Sequence, residues 1–270
     1  MQDFVRIIMK RGHEDWQSRL NKISSLQNEA ELQMVAKGFR QATTAHLSQD
    51  NINRLLPRLN KLGLYFTPIA KSGYYQGFAH RHKEVKPGDP FYWYGCVTRT
   101  VTIGEIFKAA DMAADHKAVG RLLGYPECCT EYFARAFPKD YDPIWLGLSG
   151  EVHGYPACNQ MLRYFGPRIT SHLSCSPDCK ATDEFGRIWL EVMRTIDPEA
   201  ADDMLHILSK PFTWDSYHGV VQVETDYFVG LTHTSMRPDS HRIICWKGED
   251  NGTDKGTGDN SREVHATEFQ

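Results

Sequence analysis

The pentapeptide Gly124-Tyr125-Pro126-Glu127-Cys128 recurs thirty residues later as Gly154-Tyr155-Pro156-Ala157-Cys158, and a third Pro-x-Cys unit follows at Pro177-Asp178-Cys179. Proline is favoured at the first position of a helix, because its fixed φ suits the helix and its missing N–H needs no partner there. Each phrase therefore predicts a helix start with a cysteine in the first turn, where free N–H groups and the helix dipole stabilise a thiolate. Three such starts in one stretch predict a single metal or redox site.

Cysteine spacing supports this prediction. The chain has seven cysteines, and five of them lie between residues 128 and 179, which is typical of metal or redox chemistry rather than of disulfides. Near the third phrase, Ser176 is the expected N-cap and Pro177 the first helical residue, so Cys175 would lie just before the helix and Cys179 just inside it. Cys158 follows the same logic and completes the set. The predicted metal ligands are Cys128, Cys129, Cys158, Cys175 and Cys179.

The kind of metal follows less directly from the sequence. Neighbouring residues on a helix point about 100° apart, so we expect that Cys128 and Cys129 do not easily serve one mononuclear ion. Either one of them is a ligand while the other packs or reacts, or both face a larger cluster. Structural zinc sites usually use paired Cys-x-x-Cys units, and the chain has none. The sequence thus favours an iron–sulfur cluster of the 4Fe-4S type, with zinc as the alternative.

Four residues of other types are candidates for the same site. His172 precedes Cys175 and is predicted to be a ligand or proton donor. His218, in a predicted turn, is a candidate proton shuttle. Arg121 is a candidate for orienting a carboxylate. Arg121 and Thr182 are the predicted cofactor-binding residues.

Plainer interpretations remain open for several of these residues. Cys158 can be a core cysteine, since free cysteine packs as a small hydrophobe. His172 and His218 can be structural histidines that hydrogen-bond nearby loops. Cys96 and Cys245 lie in strand-like apolar runs and are predicted to be structural.

Three strings of the chain resemble an uncharacterised prokaryotic family of proteins of unknown function. They are Leu122-Leu123-Gly124-Tyr125-Pro126-Glu127-Cys128-Cys129, His172-x2-Cys175-Ser176-x2-Cys179-x2-Thr182 and Trp214-Asp215-x2-His218-Gly219. The resemblance spans roughly residues 113 to 235. It implies that these segments form one unit, and it implies no activity.

The flanking segments predict an α+β protein with a mainly helical cysteine-rich centre, a small sheet before it and a short β meander after it. Residues 13 to 62 show helical spacing, with Ser48 capping the last helical run. Residues 64 to 100 are aromatic and β-branched and predict strands, and residues 103 to 123 return to helical spacing. Residues 214 to 247 alternate apolar and polar side chains, which predicts three or four short strands.

These patterns divide the chain into four predicted parts. Residues 1–112 form a helical segment plus the small sheet, and residues 113–210 form the helical metal-site region. Residues 211–248 form a β meander packed on that region. Residues 249–270, rich in Gly, Asp, Thr and Asn, form a disordered tail.

Composition narrows the function classes. The hydrophobic fraction of 41% and charged fraction of 24% are ordinary for a soluble globular protein of 270 residues. A net charge of −3 argues against a broad nucleic-acid surface. The sequence has no run of about 18 apolar residues and its first residues do not predict a secretory signal, so no membrane association is expected and the predicted location is the cytoplasm.

The leading hypothesis is an enzyme of small-molecule metabolism or biosynthesis with an iron–sulfur centre. It would act by Lewis-acid activation, by electron transfer as an oxidoreductase, or by sulfur transfer, on a small-molecule substrate and with a redox partner as a further candidate. One alternative is a non-catalytic binding module stapled by structural zinc. The other is a metal-free thiol enzyme that uses Cys128 and Cys129.

Overall fold

The computed structural model describes residues 5–73, 85–136, 148, 150–215 and 219–233. Its strands and α-helices, in chain order, are β1 Val5–Met9, α1 Trp16–Ala36, β2 Ala42–Leu47, α2 Gln49–Lys61, β3 Tyr65–Ser72, β4 Tyr92–Thr98, α3 Val101–Met112, α4 His116–Leu122, α5 Glu127–Ala136, β5 Gly150–Val152, α6 Lys180–Ile196, α7 Pro198–Leu208, β6 Phe212–Asp215, β7 Val220–Glu224 and β8 Phe228–His233. Two short 3-10 helices cover Pro156–Cys158 and Met161–Phe165. The prediction of an α+β fold, with a helical centre between two sets of strands, is confirmed.

The larger sheet has five antiparallel strands in the order β1-β8-β7-β6-β5. Its edge strand β1 pairs with β8, so that Val5 lies opposite Thr232 and Met9 opposite Phe228. Helices α1, α6 and α7 pack with this sheet around one apolar core, which includes the fully buried Trp189 and Trp214. Residues from the first, second and third predicted parts therefore share a single core.

The smaller sheet has the order β2-β4-β3 and covers the sheet predicted between residues 64 and 100. Its strand β2 falls inside the range 13–62, so the prediction of helix across residues 42–47 is wrong. These residues pair along their whole length with β4, and Thr43 and Thr44 are β-branched residues that suit a strand. The cap predicted for the following helix is confirmed, since Asn51 N donates to Ser48 Oγ at 3.3 Å.

A helical hairpin carries the first cysteine phrase. The helix predicted over residues 103–123 is interrupted, because Asp115 caps α4 by accepting a hydrogen bond from Ala118 N at 2.9 Å. Helices α4 and α5 then meet so closely that a Cβ on Gly120 would lie 2.5 Å from Thr130 Oγ1. Gly124 connects them with a left-handed φ of +71°. This connection places both adjacent cysteines in the first turn of α5.

Only one of the three Pro-x-Cys phrases begins an α-helix where predicted. Pro126 precedes α5, and its carbonyl accepts hydrogen bonds from Cys129 N and Thr130 N, both at 3.0 Å. Pro156 begins a 3-10 helix of three residues. At the third phrase, Pro177 lies in a turn, and α6 begins at Lys180 with Cys179 as its N-cap residue. The later start follows because the Pro177 carbonyl accepts a hydrogen bond from Tyr155 N at 2.9 Å instead of from an N–H of the next helical turn.

Several predictions fall outside the described residues: His218, Cys245, the strands proposed near residues 243–246, and the tail 249–270. Among the helices that the structure describes, none combines the length and apolar character needed to cross a membrane.

Candidate metal centre

Four cysteine sulfurs converge on one point. The Sγ atoms of Cys128, Cys129, Cys175 and Cys179, hereafter the four-cysteine group, all lie within 4.8 Å of one another. The Cys179 sulfur is 3.7 Å from that of Cys128 and 3.7 Å from that of Cys129. The group joins the first turn of α5 to the start of α6 and to the loop before it. The predicted convergence of these four residues is confirmed, and the spacing lets them hold a metal ion.

The two adjacent cysteines both face this point, which differs from the expectation that they do not easily share one ion. Their sulfurs lie 3.9 Å apart, although Cys128 is exposed and Cys129 is buried. The angle of about 100° between neighbouring helical residues describes the Cα–Cβ directions. Rotation about each Cα–Cβ bond places the sulfur away from that direction, so two neighbours can still converge.

Cys158 is not brought into the four-cysteine group. It is fully buried beside the group, and its Sγ donates to the backbone carbonyl of Cys179 at 3.5 Å. Burial raises the pKa of the Cys158 thiol to about 12, so this thiol stays protonated. The structure gives Cys158 a packing role under α6. Cys96, predicted to be structural, is likewise buried in the smaller sheet.

Within the group, the thiols differ in acidity. Burial raises the pKa of Cys129, and burial together with the Cys179 thiol raises the pKa of Cys175 to about 11. Burial also opposes ionisation of Cys179, but hydrogen bonds from Thr182 and from the Cys175 and Cys129 thiols together outweigh it and lower the pKa of Cys179. Cys179 is therefore more acidic than Cys129 and Cys175, and a metal would displace protons from these two.

Thr182 connects the four-cysteine group to His172. Its Oγ1 lies 3.2 Å from Cys129 Sγ and 2.9 Å from His172 Nε2, and both Thr182 and His172 are buried. The predicted cofactor-binding residue Thr182 thus lies beside the sulfurs. Within the described ranges, this hydroxyl is the hydrogen-bonded link between His172 and the four-cysteine group. Its Nδ1 has no hydrogen-bond partner among the described residues.

His172 gives a pH-dependent prediction. Burial, with a smaller effect from the charge of Arg40, lowers the pKa of His172 to about 3. Since an unfolded histidine has a pKa of about 6.5, the unfolded chain binds more protons between these values, and stability falls as the pH drops through that window. We expect His172 to cost about 2 kcal/mol of unfolding free energy between pH 7 and pH 5.

Urea unfolding of the wild-type protein and of His172→Gln at both pH values measures this cost. The variant should lose that part of the pH slope, and the wild-type imidazole should keep its neutral NMR shifts at pH 5. An unchanged slope in His172→Gln, with a ring that titrates near its ordinary pKa, would contradict the prediction.

A cavity of about 780 Å³ adjoins the four-cysteine group. Its walls come from α1, the smaller sheet, the helices α3 to α5 and the segment 163–173. Cys129 and His172 are among the lining residues, which connects the cavity to the metal centre. Arg121 is not among them, and it lies exposed on the last turn of α4.

Three arginines in the cavity wall were not identified from the sequence: Arg40, Arg163 and Arg168. Arg40 is 3% exposed and donates to Glu31 Oε2 at 2.7 Å and to Ser171 Oγ at 3.2 Å, so it ties α1 to the loop before the cysteines. Arg163 gave one sequence signal, because it stands alone as a charge in the apolar run Met161–Phe165.

Comparisons of the chain with protein-family models, with curated proteins and with solved structures found no match.

Proposed function

We propose that the four-cysteine group holds a metal ion and that the protein is a metal-dependent enzyme acting on a small molecule bound in the adjoining cavity. One observation carries this proposal: Cys129 belongs both to the four-cysteine group and to the cavity wall. The cavity volume of about 780 Å³ lies within the range of sites that hold metabolite-sized ligands.

The sulfur spacing favours a single ion, and zinc in particular. A tetrahedral zinc with Zn–S bonds of about 2.3 Å separates its sulfurs by about 3.8 Å. The three separations among Cys128, Cys129 and Cys179 are 3.7, 3.7 and 3.9 Å. In an iron–sulfur cluster the cysteines bind different irons with sulfides between them, so some of the cysteine sulfurs must lie further apart.

Zinc bound by four thiolates has no open coordination position, which is typical of structural sites. The ion would then fix the first turn of α5 and the start of α6, and with them the wall that contains Cys129 and His172. The polar side chains of the cavity, and not the ion, would then carry out the reaction. A protein with the same zinc and no turnover would be the non-catalytic binding module.

An iron–sulfur centre is the second candidate. Hydrogen bonds to cysteine sulfur tune the reduction potential of such clusters, and Cys129 Sγ accepts one from Cys175 N at 3.4 Å and lies 3.2 Å from the Thr182 hydroxyl. Cys128 is exposed, which would give a redox partner access to the centre. The protein would then be an oxidoreductase or a sulfur-transfer enzyme of biosynthesis, working in the reducing cytoplasm.

Metal analysis of protein purified with and without oxygen tests the proposal. We expect one zinc ion per chain, a colourless protein and no loss of metal in air. A brown protein whose visible absorption bleaches in air would favour the iron–sulfur centre instead. A metal-free protein whose stability is unchanged by exhaustive chelation would overturn the proposal and favour the metal-free thiol enzyme that uses Cys128 and Cys129.

A further inference from the structure

We infer that the cavity binds a small molecule with a phosphate or carboxylate group through Arg168, and that His172 accepts a hydrogen bond from a hydroxyl or N–H of the same molecule. This inference deepens the proposed function by naming the substrate class. It rests on that function because the metal would hold the wall from which His172 projects.

The inference depends mainly on the side chain of Arg168. It is half-buried in the cavity wall, and its guanidinium makes no hydrogen bond or ion pair with any residue in the described ranges. Its backbone is held from behind, because the buried Gln27 amide, with its nitrogen toward the loop, donates to Arg168 O at 2.8 Å. A partly desolvated guanidinium on a backbone held in place is suited to bidentate binding of carboxylate or phosphate.

The acids of the cavity have other partners. Glu31 accepts hydrogen bonds from Arg40 at 2.7 Å and from Thr43 Oγ1 at 2.6 Å. Asp111 accepts one from the Tyr94 hydroxyl at 2.9 Å. Arg40 is paired with Glu31, whereas Arg168 has no carboxylate partner among the described residues, which leaves its positive charge for an anionic ligand.

The hydrogen bonds of Thr182 determine which ring nitrogen of His172 carries the proton. Metal-bound cysteine sulfurs have no proton, so the Thr182 hydroxyl, which lies 3.2 Å from Cys129 Sγ, donates its proton to sulfur and in turn accepts from Nε2–H of His172. The proton of the neutral imidazole is then on Nε2, and Nδ1 is an acceptor. Because this buried Nδ1 has no partner among the described residues, a donor group on the ligand would satisfy it.

Isothermal titration of the metal-loaded full chain tests the inference with three probes: inorganic phosphate, succinate and malate, the last differing from succinate by one hydroxyl. We expect phosphate or the dicarboxylates to bind, and the stronger of the two identifies the anion class. Arg168→Gln should weaken binding at least 10-fold, Arg168→Lys should restore part of it, and Arg187→Gln should leave it unchanged. Arg187 is the matched control, because it is exposed on α6 and paired with Asp183 at 2.7 Å.

The hydroxyl of malate tests His172 separately. Malate should bind about 10-fold more tightly than succinate to the wild-type protein, and equally tightly to His172→Phe. Absence of binding by all three probes, or equal losses in Arg168→Gln and Arg187→Gln, would overturn the inference. The metal content of each sample separates the two hypotheses: metal-loaded protein that binds no anion contradicts only the inference, whereas metal-free protein contradicts the proposed function.

Discussion

Replacing Cys179 with alanine is expected to release the metal and to lower the free energy of unfolding by about 4 kcal/mol. The Cys179 sulfur contacts those of both Cys128 and Cys129, and the residue is the N-cap of α6, so its loss removes the ligand that joins the start of α6 to α5. Metal bound only by the folded chain contributes its binding free energy to folding. Metal content and urea unfolding, with and without a chelator, measure both effects.

Two control variants separate the metal from ordinary packing. Cys96→Ala and Cys158→Ala remove sulfurs that are also buried but lie outside the four-cysteine group. Each should cost about 1 kcal/mol, retain the metal and remain sensitive to the chelator. Cys179→Ala should be insensitive to the chelator, because its metal is already gone. Equal metal content in Cys179→Ala and Cys158→Ala would contradict a site built by these four residues.

The ligand set was predictable from the sequence to the extent that it depends on local chemistry. Cys175 and Cys179 are close in sequence, and Cys128 follows a proline that begins a helix, so clustering and helix starts were sufficient to identify them. Cys158 carries the same local phrase but lies outside the group. The difference comes from tertiary packing, because Ala157, the residue before Cys158, packs directly against helix α6 at Gly186. A Cβ added to Gly186 would lie 2.2 Å from the Cβ of Ala157.

Elements decided by distant partners were not predictable from periodicity. Strand β2 is separated from helix α1 by five residues and from helix α2 by one residue. Its strand conformation comes from pairing with β4, which lies about 50 residues away in the sequence. The start of α6 was predicted three residues too early for a similar reason. The Pro177 carbonyl is occupied by the second Gly-Tyr-Pro phrase, which no local pattern reveals.

The cavity was beyond sequence reasoning altogether. Arg40 and Arg168 are 128 positions apart in the sequence and belong to the same wall only because α1 packs beside the loop that leads to the cysteines. Arg121, chosen because it lies near the first phrase, is exposed instead. Proximity in sequence identified metal ligands, which cluster locally, but did not identify the residues of a cavity assembled from many elements.

Gly154→Ala is expected to lower the free energy of unfolding by about 3 kcal/mol and to weaken metal binding at least 10-fold. A Cβ at this position would lie 2.2 Å from the carbonyl oxygen of Pro177 and 2.7 Å from its carbon. This oxygen already accepts a hydrogen bond from Tyr155 N at 2.9 Å, so the two loops must separate to admit the methyl group. Pro177 lies between Cys175 and Cys179, and its displacement would move both sulfurs.

Gly88→Ala is the matched control for this substitution. Gly88 has a φ of +91° and no atom within 4 Å of an added Cβ, so alanine there meets only backbone strain of about 1 kcal/mol. Urea unfolding and competition for the metal with a chromophoric chelator compare the two variants. If Gly154→Ala binds the metal as tightly as Gly88→Ala, the second phrase does not support the site. The expected difference would mean that the repeated phrase serves two physical purposes: Gly124 supplies a left-handed turn, and Gly154 supplies the space in which the metal-binding loop is held.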